Sequence, residues 1–361
     1  MNIILWGTGM VAEFTLEKNI LQRLPDDMHV LGFVDNNKEK WGRIGEYTVF
    51  SPAQLQELDF DNIIVLSNYL YEEIYDMLLY WFHINPSKIK PRSYLLKLLL
   101  IEKYRDTNDK EIKDILKYLE NHELSVYNQY VDVGKEINEV YWDKIENLPY
   151  IIYEDKRLYY PYNKRFPEID GKKVVIDLMK EQQPTSPHLY INGDIKVEVG
   201  DVVADVGVCE GNFAIKHIEK ASKVYLFESE SKWIRPLEKT FEKFKDKIEI
   251  CNRFVGRGIT DKKTSLDSVI RGRLNFLKMD IEGAEVDALI GGRQTLMNNN
   301  VKCSICSYHR MNDEAAISDI LRTYGYETAH SDGYMFFIWD EDMWSVPEFR
   351  RGIVYGKKQN T

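Results

Sequence analysis

The chain has 361 residues, 44% of them hydrophobic and 29% charged, with a formal net charge of −10. That length suits two domains and that composition fills real cores, while the acidic balance excludes a nucleic-acid groove, which needs a clustered basic face, and docking on an anionic membrane. With no basic, apolar leader after Met1 and no apolar run long enough to cross a bilayer, a soluble cytoplasmic protein is expected.

In chain order, Ile3-Ile4-Leu5-Trp6 reads as a strand ended by Gly7, and a helical pattern follows from Val11 to Leu24. Val30 to Val34 is a second strand closing in Asp35-Asn36-Asn37, and Asn62 to Leu66 a third, ahead of an aromatic-rich helix from Tyr71 to Phe82. Strands alternating with helices predict a small, doubly wound parallel sheet over 1–92. Residues 93–173 read as a linker region. SYLLKLLLIEKY is apolar on nearly all sides, and Ile112, Ile115, Leu116 and Leu119 form one helical stripe. Short β segments follow at Tyr150–Tyr153, Arg157–Tyr160 and Lys173–Leu178.

From 174 to 345 the alternation returns. Strands are expected at Val202–Val206, Lys223–Phe227, Ile248–Cys251, Leu274–Met279 and Val301–Ser307. An antiparallel hairpin of Tyr326–His330 and Tyr334–Trp339 turns at Ser331-Asp332-Gly333. Residues 346–361 read as a polar, frayed tail. Four cysteines imply no disulfide framework. Cys303 and Cys306 sit on a strand, where their spacing points them to opposite faces, so they read as buried residues and not half of a zinc site.

The stretch VVADVGVCEGNFAIKH, Val202 to His217, carries the chemistry. A pyrophosphate wants GxGxxG at a helix N-terminus with no carboxylate nearby. Here Asp205 precedes Gly207 and Glu210 precedes Gly211, and anionic side chains suit a ligand bearing a sulfonium or ammonium. Glu228, ending the next strand, is placed to accept the two hydroxyls of a ribose. A ribose with a cationic tail is S-adenosylmethionine (SAM). Further on, in FLKMDIEGAEVDALIGG, Asp280 ends a strand and Glu282 opens a helix; His309 ends the strand after that. Methylation of a hydroxyl needs in-line positioning and a base, and Asp280 and His309 are the candidates. Glu282 reads equally as a first-turn acid favoured by the helix dipole. Asp280, Glu282 and His309 would also serve a divalent metal, with metal ligand and base left as alternatives. Upstream, Ser186, His188 and Tyr190 in EQQPTSPHLYI either reach donor or acceptor or merely cap a loop.

DVGVCEGNF, YLFESES, TSLD and FLKMDIEGAE, in that order, resemble the FkbM-type SAM-dependent methyltransferases over roughly 174–340. The resemblance implies a class I methyltransferase fold with an antiparallel last strand, SAM as donor, and transfer to oxygen on sugars or related metabolites. Many relatives carry Ala-Asn after the first glycine, where this chain has Val208-Cys209-Glu210. The fold expected is therefore α/β: two doubly wound Rossmann-like domains joined by a helical and β-hairpin linker.

The first turn, LWGTGMVAEF, is a GxGxxA pattern of Gly7, Gly9 and Ala12 between strand and helix, with Asp35 placed for a ribose diol. This half resembles the N-terminal nucleotide-binding domains of sugar-modifying enzymes. It binds the nucleotide of a nucleotide-linked sugar, or NAD(P) without hydride chemistry, or nothing. The expected function is a SAM-dependent O-methyltransferase on a sugar or glycoconjugate precursor. The alternatives are a module that binds SAM or a nucleotide sugar without turnover, and an NAD(P)-using oxidoreductase. Homo-oligomerisation is left open.

Overall fold

Buried parallel strands read as continuous apolar runs because both faces are covered, and the strands of this chain follow that rule. A computed structural model describes residues 1–128, 139–162, 181–340 and 342–358. It divides into two compact units, Met1–Asn128 with Ile338–Phe349, and Gln129–Phe337 with Arg350–Thr361. Among the described residues no helix is long and apolar enough to cross a membrane.

The first unit holds a six-stranded sheet of β1 (Asn2–Trp6), β2 (His29–Val34), β3 (Gly42–Ile44), β4 (Tyr47–Phe50), β5 (Asn62–Val65) and β6 (Ile89–Pro91), in the order β3-β4-β2-β1-β5-β6. All pairs are parallel except β3 with β4. Sequence reasoning found β1, β2 and β5; β3 and β6, of three residues each, are too short to show a period, and β4 was not singled out. The first helix spans Met10–Glu17 and not the expected reach to Leu24, because Asn19 turns left-handed at φ +51°. The apolar helix Ser93–Lys103 buries Leu95 through Leu100, including Lys97, whose Nζ donates to the His122 carbonyl at 2.8 Å. The helix Lys110–Leu119 is capped by Asp109, which accepts from the N–H groups of Glu111 and Ile112. It buries Ile112, Ile115 and Leu119 of the expected stripe.

The second unit begins with an antiparallel meander of β7 (Tyr141–Asp143), β8 (Leu148–Tyr153) and β9 (Lys156–Tyr159). The expected segment Lys173–Leu178 lies outside the described residues. The main sheet has seven strands: β10 (Val202–Val206), β11 (Lys223–Phe227), β12 (Ile248–Cys251), β15 (Phe276–Met279), β16 (Lys302–Cys306), β17 (Tyr326–His330) and β18 (Ile353–Lys358). A small parallel pair, β13 (Phe254–Val255) and β14 (Lys263–Thr264), stands apart from it. The order is β12-β11-β10-β15-β16-β18-β17, parallel from β12 to β16, with β18 antiparallel to both neighbours. Ala204, Val206, Leu277, Met279, Cys303 and Ile305 form its core at 0% exposure. Cys303 and Cys306 are buried and free, as their strand position implied.

The expected hairpin is corrected. The partner of β17 is not Tyr334–Trp339 but β18, drawn from the stretch read as a frayed tail. The chain leaves the sheet after β17, contributes Ile338–Phe349 to the first unit, and returns to insert β18 between β16 and β17. A tight hairpin would have left β16 without that neighbour. Residues 93–128 belong to the first unit and the meander to the second.

Candidate active site

Strand order reverses between β10 and β15, and ligands of open α/β sheets bind beyond the carboxyl ends at such a point. Gly207 follows β10 at φ +79°, a conformation natural to glycine, and a Cβ there would run into the carbonyl oxygen of Asp280. The N–H groups of Gly207 and Val208 donate to the Phe227 carbonyl at 3.0 and 3.2 Å. Gly211, at φ +84°, opens the helix Asn212–His217, and a side chain there would press on Leu237 and Phe241. The turn is thus tight because two other strand ends and a helix crowd it.

Glu228 lies where expected, at the end of β11 and 5% exposed. Its Oε2 accepts from the Cys209 N–H at 2.8 Å and its Oε1 from the Glu230 N–H at 2.7 Å. An ionised carboxylate offers about four acceptor positions, so each oxygen keeps one for a diol.

Asp205 and Glu210 depart from expectation. Asp205 is 0% exposed beneath the turn, with Oδ1 3.0 Å from Lys278 Nζ. The same ammonium donates to the Gly207 carbonyl at 2.6 Å. Burial works to lower Lys278, but the carboxylates of Asp205 and Asp280 outweigh it and hold the ammonium above its usual value. Glu210 is half-buried, and loss of hydration pushes its carboxyl up to about 8, with Glu181 and Asp205 adding repulsion. Near neutral pH one of these acids is already matched by a lysine and the other is largely protonated. The negative character of the mouth therefore comes from Glu228, Asp280 and Glu282.

Asp280 is the hub. The Tyr190 hydroxyl donates to its Oδ2 at 2.8 Å and the Tyr308 hydroxyl to its Oδ1 at 3.3 Å. His188 Nε2 stands 3.4 Å from Oδ2 and His309 Nε2 3.4 Å from Oδ1. Burial would raise the carboxyl, yet His188, then His309 and Lys278, hold it well below the ordinary carboxylate range. Behind it, His309 Nδ1 lies 3.1 Å from Glu285 Oε1, both side chains 1% exposed. That Glu285 oxygen also accepts from the Ile281 N–H at 2.8 Å, fixing it at the head of the helix Glu285–Gly291. Burial would depress His309, but Glu285, Asp280 and Glu282 raise it to about 9. Glu282 reaches to 3.7 Å from His309 Nε2 with its side chain 82% exposed, on a left-handed backbone at φ +57°.

The structure thus unites Asp280, Glu282 and His309, sets Glu228 and Gly207 on neighbouring strand ends, and puts Asp205 underneath. His188 and Tyr190 reach Asp280. Lys278, Glu285 and Tyr308 escaped sequence reasoning. Lys278 did carry a signal: a lysine inside the apolar run FLKM has to find a carboxylate. The His309 partner Glu285 carried none, since a helix-opening glutamate looks the same when it faces water.

In the first unit, Gly7 turns at φ +111°. Asp35 Oδ2 accepts from the Thr8 N–H at 2.8 Å and hydroxyl at 2.6 Å, and Oδ1 accepts from the Asn37 N–H at 2.8 Å. Three of its acceptor positions are thereby spent on holding the turn, and a ribose diol would find one left. Gly9 precedes the helix at φ −80°, within reach of any residue.

Known proteins give these findings. The family described as methyltransferase FkbM domain matches residues 146–328, starting at the meander. The family described as C2185-like, N-terminal, matches residues 1–90. No curated protein matches the chain. Among solved structures, methyltransferase FkbM from Methylobacillus flagellatus KT is similar at 14% identity and a TM-score of 0.41, covering 98% of this chain and 89% of that one. Magnesium protoporphyrin IX methyltransferase from Synechocystis PCC 6803, with bound SAM, is similar at 14% identity and 0.32, covering 46% and 73%. Ribosomal protein L11 methylase from Lactobacillus delbrueckii subsp. bulgaricus is similar at 18% identity and 0.29, covering 44% and 71%.

Proposed function

Since this chain belongs to the methyltransferase FkbM domain family, we propose that it transfers a methyl group from SAM to a hydroxyl of a sugar or glycoconjugate precursor. The observation that carries the reading is the carboxylate mouth over a glycine turn: Glu228, Asp280 and Glu282 gather beyond β11 and β15 around Gly207. The residues fit the donor's chemistry. The free acceptor positions of Glu228 suit a ribose diol, and the ionised mouth suits a sulfonium.

SAM, when bound, supplies an electrophilic methyl. The chain's own groups do the rest. Asp280, held by two tyrosines and flanked by two histidines, accepts a hydrogen bond from the acceptor hydroxyl and fixes its angle of approach. His309, raised to about 9, is an imidazolium at neutral pH; it holds Asp280 and is not the base. Glu282 is the exposed carboxylate at the mouth, open to water with its side chain 82% exposed, and takes the hydroxyl proton. With SAM bound there, the hydroxyl oxygen would take the methyl carbon while the sulfur kept the electron pair of the broken carbon–sulfur bond, and Glu282 would receive the hydroxyl proton and pass it to water.

The test is methyl transfer from labelled SAM to pools of nucleotide sugars and oligosaccharides, with product position read by mass spectrometry and NMR. An O-methyl sugar, reduced by roughly 100-fold or more in Asp280→Asn, is the expected result. A methyl group on nitrogen or carbon, or none in any pool, overturns it.

A further inference from the structure

We propose that Arg310 receives an anionic group of the methyl acceptor, a carboxylate or a phosphate, so that the acceptor is an acidic sugar and not a neutral one. This deepens the function proposed above and rests on it for the reaction; the anion subsite itself stands on side-chain geometry.

Arg310 follows His309 on the segment that leaves β16, and it is exposed. The backbone beneath it is held from two sides. The buried Arg350 donates through Nη1 to the carbonyls of Tyr308 and His309 at 3.1 and 2.9 Å, and the Arg310 N–H donates to Asp313 Oδ2 at 2.9 Å. The stem of the side chain has a bed as well. It lies across Gly283, in the turn between Asp280 and the helix Glu285–Gly291, where φ is +88°. A Cβ on Gly283 would come within 2.6 Å of Arg310 Nε, 3.1 Å of Cγ and 3.2 Å of Cδ. The bare glycine therefore makes room for the arginine beside Glu282, at the mouth that Asp280 and Glu282 form.

What sets Arg310 apart is a charge without a partner. Lys278 is matched by Asp205 at 3.0 Å, and His309 lies between Asp280 at 3.4 Å and Glu285 at 3.1 Å. Arg310 has no side-chain hydrogen bond or ion pair among the described residues. Asp313, the nearest acid along the chain, gives its Oδ2 to the Arg310 N–H and not to the guanidinium. Holding a long stem in one place costs entropy; here the stem is seated on a glycine while the planar fork stays open. Such a fork matches a carboxylate or a phosphate through two parallel hydrogen bonds. A neutral sugar would leave it in water. An acidic sugar would need it, since Asp280 and Glu282 repel another anion unless a cation stands beside them. Anchored at Arg310, the sugar ring is held by one edge, which limits the hydroxyls that reach Asp280.

The full chain, loaded with S-adenosylhomocysteine, is titrated calorimetrically with the methyl glycosides of glucose and galactose, with the matching glucuronide and galacturonide, and with glucose and galactose 1-phosphates. An acidic sugar is expected to bind about 10-fold or more tighter than its neutral counterpart, and Arg310→Gln to erase that preference while leaving the neutral sugar's affinity unchanged. Arg310→Lys keeps the charge without the fork; it should retain most of a preference for phosphate and lose one for carboxylate, which tells the two apart. In turnover, Arg310→Gln should raise KM for the acidic sugar about 10–100-fold with kcat changed less than about threefold. Circular dichroism melts confirm that both variants are folded. Neutral and acidic sugars bound alike, no sugar bound at all, or a preference that survives Arg310→Gln, overturns the subsite. O-Methylation of a neutral sugar, indifferent to Arg310→Gln, sinks the subsite and leaves the proposed function standing. An Arg310-dependent preference for acidic sugars, without methyl transfer to any hydroxyl, upholds the subsite and sinks the function.

Discussion

Two buried side chains carry sharp consequences at the scale of single residues. Lys278 is 3% exposed and holds together the Asp205 carboxylate and the Gly207 carbonyl. Lys278→Met should cost about 3–5 kcal/mol, because it strands a carboxylate in the core. Adding Asp205→Asn to it should restore part of that loss, as urea denaturation would show; a double variant no better than the single one would refute the pairing. His217 has both ring nitrogens buried without hydrogen-bond partners among the described residues. Burial, with Lys216 and Lys220 adding, pulls it from 6.5 to about 4. Between those values the unfolded chain holds the extra proton, so stability falls on acidification, by roughly 3 kcal/mol in full. His217→Phe should flatten that fall in urea titrations at pH 7 and pH 4.5, and an unchanged slope would mean that the folded imidazole is not kept neutral.

At the scale of elements, β10, β11, β12, β15 and β16 were legible in the sequence because each is a short apolar run ended by a polar residue or glycine. The strand β18 was not. Ile353-Val354-Tyr355 is a brief apolar start that passes into Gly356-Lys357-Lys358, and its neighbours β16 and β17 are remote in sequence. Its Gly356 is buried, and a Cβ there would crowd Leu321, Cys303 and Tyr326, so a glycine that looked like tail composition serves close helix packing. Ending the chain at Gly352 removes the strand between β16 and β17. The truncated chain should lose cooperative unfolding in the second unit and expose apolar surface to a hydrophobic dye; a melting curve identical to the full chain's would restore the frayed-tail reading.

For the whole molecule, the first unit is discontinuous. Arg92 packs on the Trp344 ring at 4.1 Å, Lys103 Nζ donates to the Pro347 carbonyl at 2.9 Å, and Tyr104 stacks on Phe349 at 5.3 Å. Arg23 donates to the carbonyls of Trp344 and Ser345. A fragment of residues 1–128 should therefore melt below one carrying 338–349 on a flexible Gly/Ser linker of about 20 residues. Equal midpoints would mean that the returning segment adds nothing to that unit.

The sequence by itself determined the alternation of strands and helices, the two glycine turns, and the strand-end acids Glu228, Asp280 and Glu282, because strand ends and glycine conformations are local properties. Tertiary structure alone decided which acids face water and which are matched. Asp205 and Glu210 look alike beside their glycines, and burial raises both carboxyls, but Lys278 offsets that rise at Asp205 while Glu181 adds to it at Glu210. It also decided that His188, Tyr190, Glu285 and Tyr308 converge on Asp280 and His309. Those partners come from distant segments, and no local pattern encodes a meeting that only the packed sheet brings about.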